Sequence, residues 1–161
     1  MEHSQYLKIA LEEAILAEKR GDYPIGAVLV DEEGVVIARH GNESFTKADV
    51  SAHAEILCFK EAGELLSKKN SKKITLYTTL EPCYGCGFFT TYTNIKKVVW
   101  ALTDTYKGGI DDLKSLSKLK DSFKDIEFIE EPDEECRNES KKLMYKYHAD
   151  KGNLEKAKNY L

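Results

Sequence analysis

Two short segments of the chain carry the side chains best suited to metal chemistry. One contributes His53 and Glu55, and the other contributes Cys83 and Cys86, which are three positions apart. Three protein ligands suit a catalytic zinc ion, because the fourth tetrahedral position stays open for water, whereas a structural zinc ion is normally enclosed by four ligands. The sequence therefore predicts one Zn²⁺ per chain, held by His53, Cys83 and Cys86.

A carboxylate beside such an ion has a chemical purpose. A zinc ion held by two thiolates and a neutral imidazole forms a roughly neutral site, and a nearby base must carry protons away from its water and return them. Glu55 is two positions from His53, so we assign it as the proton shuttle and not as a ligand. The side chains of His53 and Glu55 would diverge in the middle of a helix. They can face one ion only if that ion lies beyond the N-terminal end of the helix.

Hydrophobic periodicity places both segments at helix starts, where free N–H groups and the positive end of the helix dipole favour thiolates. We expect Ser51 or Asp49 to cap the helix that carries His53. The predicted elements are a helix ending at Gly21, strands 27–30 and 35–38, helix 52–62, strand 74–79, helix 84–94, strand 97–102, a helix near 113–119, strand 126–129 and a helix from about 133. This order predicts an α/β fold with three layers, α/β/α, around a mixed five-stranded sheet.

Length and composition narrow the class of protein. The chain has 161 residues, of which 42% are hydrophobic and 32% charged, and this predicts a single domain, 1–161. The net charge of −4 argues against a protein that coats nucleic acid through bulk charge. No apolar run approaches the ~20 residues that span a bilayer, and the first residues lack the basic start of a signal peptide. We therefore expect a cytoplasmic protein without a membrane partner, whose cysteines are metal ligands or core thiols.

The motif His-Ala-Glu, followed by Pro-Cys-x-x-Cys, resembles the zinc-dependent cytidine/deoxycytidylate deaminase superfamily. The likeness extends from residues 24–28 through Asn42 and 78–83 to Val98. It is greatest for the branch of guanine deaminases, tRNA-specific adenosine deaminases and fungal cytosine deaminase. The resemblance implies a cytidine deaminase-like fold, a homodimer, and a hydrolytic reaction that releases an exocyclic amine as ammonia. It also implies that Glu55 moves the protons and that Asn42 binds the base or its sugar.

The loop 103–112 bears on which amine is removed. Its Thr-Asp start, later glycine and closing Asp-Asp resemble the corresponding loop of bacterial guanine deaminases. The resemblance implies that Asp104 lies next to the nucleobase and assists proton transfer. A carboxylate can accept hydrogen bonds from the N–H groups at the edge of a purine. We therefore predict a small-molecule nucleobase or nucleoside as substrate, with guanine as the best single choice.

Other features favour the tRNA branch, which we place second. The start of the last predicted helix, 134–136, resembles the tRNA deaminase pattern. Residues 137–161 carry seven basic and three acidic side chains together with Tyr145, Tyr147 and Tyr160, which could stack on bases. A lysine-rich terminal helix is, however, usually a solvated surface. A catalytically idle binding subunit is a third hypothesis, and an intact Glu55 argues against it.

Simpler interpretations of the motif residues stay open in the sequence. A Cys-x-x-Cys pair can serve redox exchange, and Cys136 or His148 could close a structural zinc site. Asn42 and Asp104 are also good turn-forming residues.

Four further side chains are expected to pack. Cys58 and Cys136 are predicted core thiols, since free cysteine is among the most buried residue types. Phe88 and Phe89 are predicted to pack in the core or against a second copy of the chain.

Overall fold

A mixed five-stranded sheet forms the centre of the computed structural model, which describes residues 2–69 and 72–161. The strands are β1 (Gly26–Asp31), β2 (Val36–Gly41), β3 (Ile74–Thr78), β4 (Ile95–Trp100) and β5 (Glu127–Glu130). Their order in the sheet is β2-β1-β3-β4-β5. β1 pairs antiparallel with both β2 and β3, while β3, β4 and β5 are parallel. The predicted mixed sheet is confirmed.

Helices cover both faces of this sheet. They are α1 (Glu2–Arg20), α2 (Ala54–Ala62), α3 (Tyr84–Thr90), α4 (Ile110–Ser115), α5 (Lys120–Phe123), α6 (Glu134–Asp150) and α7 (Leu154–Ala157), with 3₁₀ turns at Gly63–Leu66 and Lys158–Tyr160. Because side chains alternate along a strand, Ala27 and Leu29 of β1 pack in the core beneath α2, and Val28 and Val30 pack in the core beneath α1. The three-layer α/β/α arrangement is therefore confirmed.

The end of the β1–β2 hairpin lies very close to α1. An added Cβ at Gly26 would lie 2.0 Å from the backbone oxygen of Ala10, and one at Gly41 would lie 2.5 Å from that of Glu13. These two glycines pair with each other across the strands. β2 continues to Gly41, beyond the predicted end at 38. Asn42 is the next residue and lies at the end of this strand.

Some predicted element boundaries were wrong. α2 begins at Ala54 with His53 as its N-cap, and no side chain caps it; the Asp49 carboxylate instead accepts the N–H of Ser51 in the preceding turn. α3 ends at Thr90, before the predicted residue 94. The single helix expected near 113–119 is replaced by α4 and α5.

Among the described residues, no helix combines the length and the apolar character needed to cross a membrane.

Candidate active site

The structure brings His53, Cys83 and Cys86 together. Their possible ligand atoms all lie within 4.8 Å of one another. The Nδ1 atom of His53 is 3.6 Å from the sulfur of Cys83 and 3.4 Å from that of Cys86. Within the described residues no fourth histidine, cysteine or acidic side chain joins this group, and Cys136 packs in the core near α1. A closed structural zinc site is therefore not supported.

Two helix starts position these ligands. His53 is the N-cap of α2 and Cys83 is the N-cap of α3, and both have extended backbone angles without a side-chain capping bond. Their side chains are therefore free to point beyond the helix ends. Thr79, at the end of β3, exchanges hydrogen bonds with Gly26 through its backbone N–H and its hydroxyl, which fixes the turn that leads to Cys83.

The pKa shifts within this group fit a site that binds a cation through a cysteine thiolate. The hydrogen bond from Cys86, aided by that of His53, lowers the pKa of Cys83 to about 4. The same contact with Cys83, together with burial, raises the pKa of Cys86. The hydrogen bond to Cys83 raises the pKa of His53. Two sulfurs and an imidazole are the donor set that zinc prefers.

Glu55 lies beside this group and is only 4% exposed. Burial, with a smaller contribution from the negative charge of Cys83, raises the pKa of its carboxyl group to about 7. A carboxyl group with a pKa near neutrality can both accept and release a proton at physiological pH. The structure thus places the proposed proton shuttle next to the proposed ligands.

A pocket with a cavity volume of about 140 Å³ opens beside His53, Glu55 and Cys83. Its other lining residues are Tyr23, Ile25, Asn42, Leu80, Glu81, Asp104, Tyr106, Lys107, Met144, His148, Lys156 and Tyr160. A water-sized group needs about 10–15 Å³ of such space, so the cavity has room for a ring system of roughly ten heavy atoms. Every site residue predicted from the sequence except Cys86 lines this pocket.

Asn42 and Asp104 each combine a pocket position with a turn role. The side-chain oxygen of Asn42 accepts the N–H of Ser44 at 2.9 Å, which leaves its amide N–H₂ group for the pocket. Oδ1 of Asp104 accepts the N–H of Tyr106 at 2.9 Å and the hydroxyl of Tyr160 at 3.3 Å. The turn interpretation of both residues is correct, and it does not exclude a second role.

The C-terminal segment 153–161 forms one wall of the pocket; the sequence analysis named Tyr160 as a possible base-stacking residue but did not place it there. Tyr160 is 6% exposed, and its ring stacks on that of His148 with centroids 5.7 Å apart. Lys156 of α7 also lines the pocket. The lysine-rich end of the chain was interpreted as a solvated surface, and the signals that separate α7 from α6 were overlooked: Gly152, with a φ of 73°, and Asn153, the N-cap of α7.

Lysines and aromatic rings cluster at the pocket and beside it: Tyr106, Lys107 and Lys156 line it, whereas Phe45 packs against the lining residue Tyr23. Lys107 and Lys156 lie 5.8 and 5.4 Å from the ring centre of Tyr106, and Lys151 lies 5.3 Å from the ring of Phe45. None of these three lysines forms an ion pair with a described residue. Tyr106 and Phe45 are about half exposed, at 51% and 56%. We call the three lysines, Tyr106 and Phe45 the lysine–aromatic rim.

Comparison with known proteins gives this site a family. The model of the MafB19-like deaminase family matches residues 1–149. The chain belongs to this family. This MafB19-like deaminase therefore has a cytidine deaminase-like fold and is a hydrolytic deaminase that acts on a nucleobase or nucleoside.

Relatives of this MafB19-like deaminase come from the tRNA branch and from the guanine branch. The tRNA-specific adenosine deaminase of Aquifex aeolicus is 39% identical over 65% of this chain and 69% of its own length. A structure from a study of A-to-I editing by tRNA:A34 deaminases at the wobble position of transfer RNA has a TM-score of 0.67 at 30% identity, covering 81% of this chain and 99% of the other. The guanine deaminase of Bacillus subtilis has a TM-score of 0.58 at 31% identity, covering 65% and 67%.

These likenesses change the order of the substrate hypotheses for this MafB19-like deaminase. The sequence analysis placed guanine first, on the resemblance of the loop that carries Asp104. The relatives favour the tRNA alternative over the guanine prediction. The acidic net charge does not decide between the two substrates, because Lys107 and Lys156 line the pocket together with the acidic Glu81 and Asp104.

Proposed function

We propose that this protein deaminates an adenosine in the anticodon loop of a tRNA and converts it to inosine with release of ammonia. The observation that carries this proposal is the lysine–aromatic rim at and beside a pocket of base size. Exposed aromatic rings stack on unpaired bases, and lysines attract the phosphates between them. The relatives named as tRNA-specific adenosine deaminases support the same substrate class.

One zinc ion per chain is part of this proposal, held by His53, Cys83 and Cys86. When bound there, zinc lowers the pKa of a water molecule and so supplies a nucleophile at neutral pH. The two helix starts hold the sulfurs and the imidazole around one point, and the positive helix ends stabilise the thiolates.

Glu55 carries the protons of the reaction. Its carboxylate takes a proton from the attacking water, delivers it to the ring nitrogen, and helps the exocyclic amine leave as ammonia. The amide N–H₂ group of Asn42 donates to the base or its sugar. Oδ2 of Asp104 accepts no hydrogen bond from the described residues, and we assign it to an N–H group of the substrate.

The test is a panel of substrates assayed for ammonia release. It includes an anticodon stem-loop RNA with adenosine at the wobble position, the same RNA with guanosine there, and free guanine, adenosine, cytosine and cytidine. We expect turnover of the adenosine-containing RNA and little turnover of free adenosine. Turnover of a free base or nucleoside without turnover of the RNA would overturn the tRNA assignment.

A free purine base, with guanine first, is the second candidate. The specific observation in its favour is the contact between Tyr160 and Asp104, because segment 153–161 then encloses the pocket around a ligand without a phosphate chain. Guanine deamination in the panel, with no RNA turnover, is the outcome that this candidate predicts.

We also propose that residues 1–161 act as one domain and that the protein meets tRNA in the cytoplasm.

We further propose that the chain works as a homodimer. Phe89 on α3 is 52% exposed, which suits a contact with a second copy. Sedimentation equilibrium of wild type and Phe89→Glu measures this directly, with a shift toward monomer expected in the variant.

A further inference from the structure

Glu81 connects the turn that carries the cysteines to the loop that carries Asp104. Its Oε2 atom accepts the backbone N–H of Asp104 at 3.2 Å, and its Oε1 atom accepts that of Ile110 at 3.1 Å. Ile110 is the first residue of α4. One carboxylate therefore holds both ends of segment 104–110, and it lies only two residues before Cys83.

The glycines of this segment are required for the close contact. An added Cβ at Gly108 would lie 2.1 Å from Oε2 of Glu81, and one at Gly109 would lie 2.7 Å from the backbone nitrogen of Tyr84. The N–H of Gly109 donates to the backbone oxygen of Pro82 at 3.2 Å. The loop is thus fitted to the cysteine turn along its length, with the Glu81 carboxylate between them.

We propose that Glu81 is a positioning residue for the deamination, acting through Asp104. It fixes the distance between Asp104 and the zinc-binding turn, and hence between a substrate N–H group and the reacting carbon. Glu81 also lines the pocket, and it acts through the loop because each of its two oxygens accepts one of that loop's backbone N–H groups. The inference rests on the proposed function only in taking Asp104 as a substrate contact.

The Glu81→Gln variant tests this role, because it keeps the size of the side chain but turns one acceptor oxygen into a donor that faces an N–H group. We expect kcat/KM for the adenosine-containing stem-loop RNA to fall between about tenfold and 10²-fold, as expected for a misplaced contact group. Zinc content should stay at the wild-type level. The exposed Glu130→Gln on β5 is the matched control and should leave kcat/KM unchanged.

A double-mutant cycle distinguishes positioning from general stability. If Glu81 acts through Asp104, the Glu81→Gln/Asp104→Asn protein is no slower than Asp104→Asn alone, because coupled residues are not additive. Multiplied losses in the double variant would contradict the proposal. Glu81→Asp, which reaches only one of the two N–H groups, should give an intermediate loss. Loss of zinc from both Glu81→Gln and Glu81→Asp would mean that Glu81 has a structural role in the zinc-binding turn, and it would also overturn the proposal.

Amide hydrogen exchange provides a measurement that is independent of turnover. We expect faster exchange of the Asp104 and Ile110 amides in Glu81→Gln, with unchanged exchange in the sheet. Unchanged exchange at both amides would overturn the proposal. If guanine is turned over in place of the RNA, the same kinetics are measured with guanine, and only the proposed substrate fails. If neither is turned over, the proposed function fails, while the exchange rates still decide whether Glu81 holds the loop.

Discussion

Glu55 is a buried carboxyl group, and the proposed reaction uses it to transfer protons. Its pKa is raised to about 7 by burial, which suits a group that exchanges protons in each turnover. We expect Glu55→Gln to lower kcat by at least about 10²–10⁴-fold, since the amide cannot carry a proton. The measurement is ammonia release from the best substrate of the panel, with zinc content determined in parallel.

The control for Glu55 lies on the same helix. Glu61 is exposed on α2, and its carboxylate contacts His40. Glu61→Gln should therefore retain full activity. A Glu55→Gln protein that keeps both its zinc and its wild-type kcat would show that another group carries the proton.

The two cysteines of the motif differ from the two cysteines of the core. We expect about one zinc per wild-type chain and almost none in Cys83→Ala, because two remaining ligands hold zinc weakly. Cys136 is 1% exposed in the core near α1, so Cys136→Ala should lose stability and keep its zinc. Atomic absorption on chelator-washed protein measures both, and full zinc in Cys83→Ala would remove this residue from the ligand set.

At the scale of residues, the sequence predicts the part of the site that lies within short motifs. His53, Glu55, Cys83 and Cys86 are recognisable because metal chemistry requires particular side chains at fixed spacings. Tyr160 belongs to the same pocket but follows Cys86 by more than seventy positions, and tyrosine has many structural uses. Gly152 and Asn153 mark where α6 ends, but the direction that the chain takes after this break depends on tertiary packing.

At the scale of elements, the N-terminus of α6 offers a test of its electrostatics. The Asp133 carboxylate accepts the N–H of Cys136 at 2.8 Å and the hydroxyl of Ser4. The hydrogen bond from Ser4, followed by that from Cys136, lowers the pKa of Asp133 from 3.8 to about 2. A carboxyl group with a lowered pKa stabilises the folded state above its unfolded pKa, and that contribution disappears as the pH falls through the folded value.

Asparagine caps helices about as well as aspartate but carries no charge. We therefore expect Asp133→Asn to be less stable than wild type by about 0.3–1 kcal/mol at pH 7, the usual value of a charge at a helix start. The difference should be constant down to about pH 4 and shrink as the pH approaches 2. Urea unfolding at several pH values measures it; a difference independent of pH would show that the charge contributes nothing.

The elements themselves were predictable where hydrophobic periodicity is long. All five predicted strands and α1 are present, because burial against the sheet dictates which residues are apolar, but the bounds of β2 and β4 differ from the predicted 35–38 and 97–102 by up to three residues. The start of α2 was not predictable, since Ser51 is a better capping residue than His53 in isolation. Ser51 lies instead in the preceding turn, where its N–H and hydroxyl both donate to the Asp49 carboxylate. His53 takes the N-cap position, and its side chain contacts Cys83 and Cys86.

At the scale of the whole molecule, the net charge does not describe how charges are distributed around the pocket. The chain carries a formal charge of −4, yet three lysines without ion pairs among the described residues belong to the lysine–aromatic rim. Ion pairs occupy several lysines elsewhere, such as Lys146 with Glu18 and Asp150. Total charge is therefore a poor guide to the surface that a substrate meets.

Salt dependence of RNA binding decides whether this rim contacts a phosphate chain. Each phosphate neutralised on a single strand contributes about −0.7 to the slope of log K against log salt concentration. We expect Lys107→Ala, Lys151→Ala and Lys156→Ala each to make the slope for the stem-loop RNA shallower by about 0.7. Lys124→Ala is the control, because Lys124 lines a different surface with Phe123 and Phe128, and it should keep the wild-type slope. A wild-type slope in all four variants would show that the phosphates of the RNA do not contact the rim. It would favour a free base as the substrate.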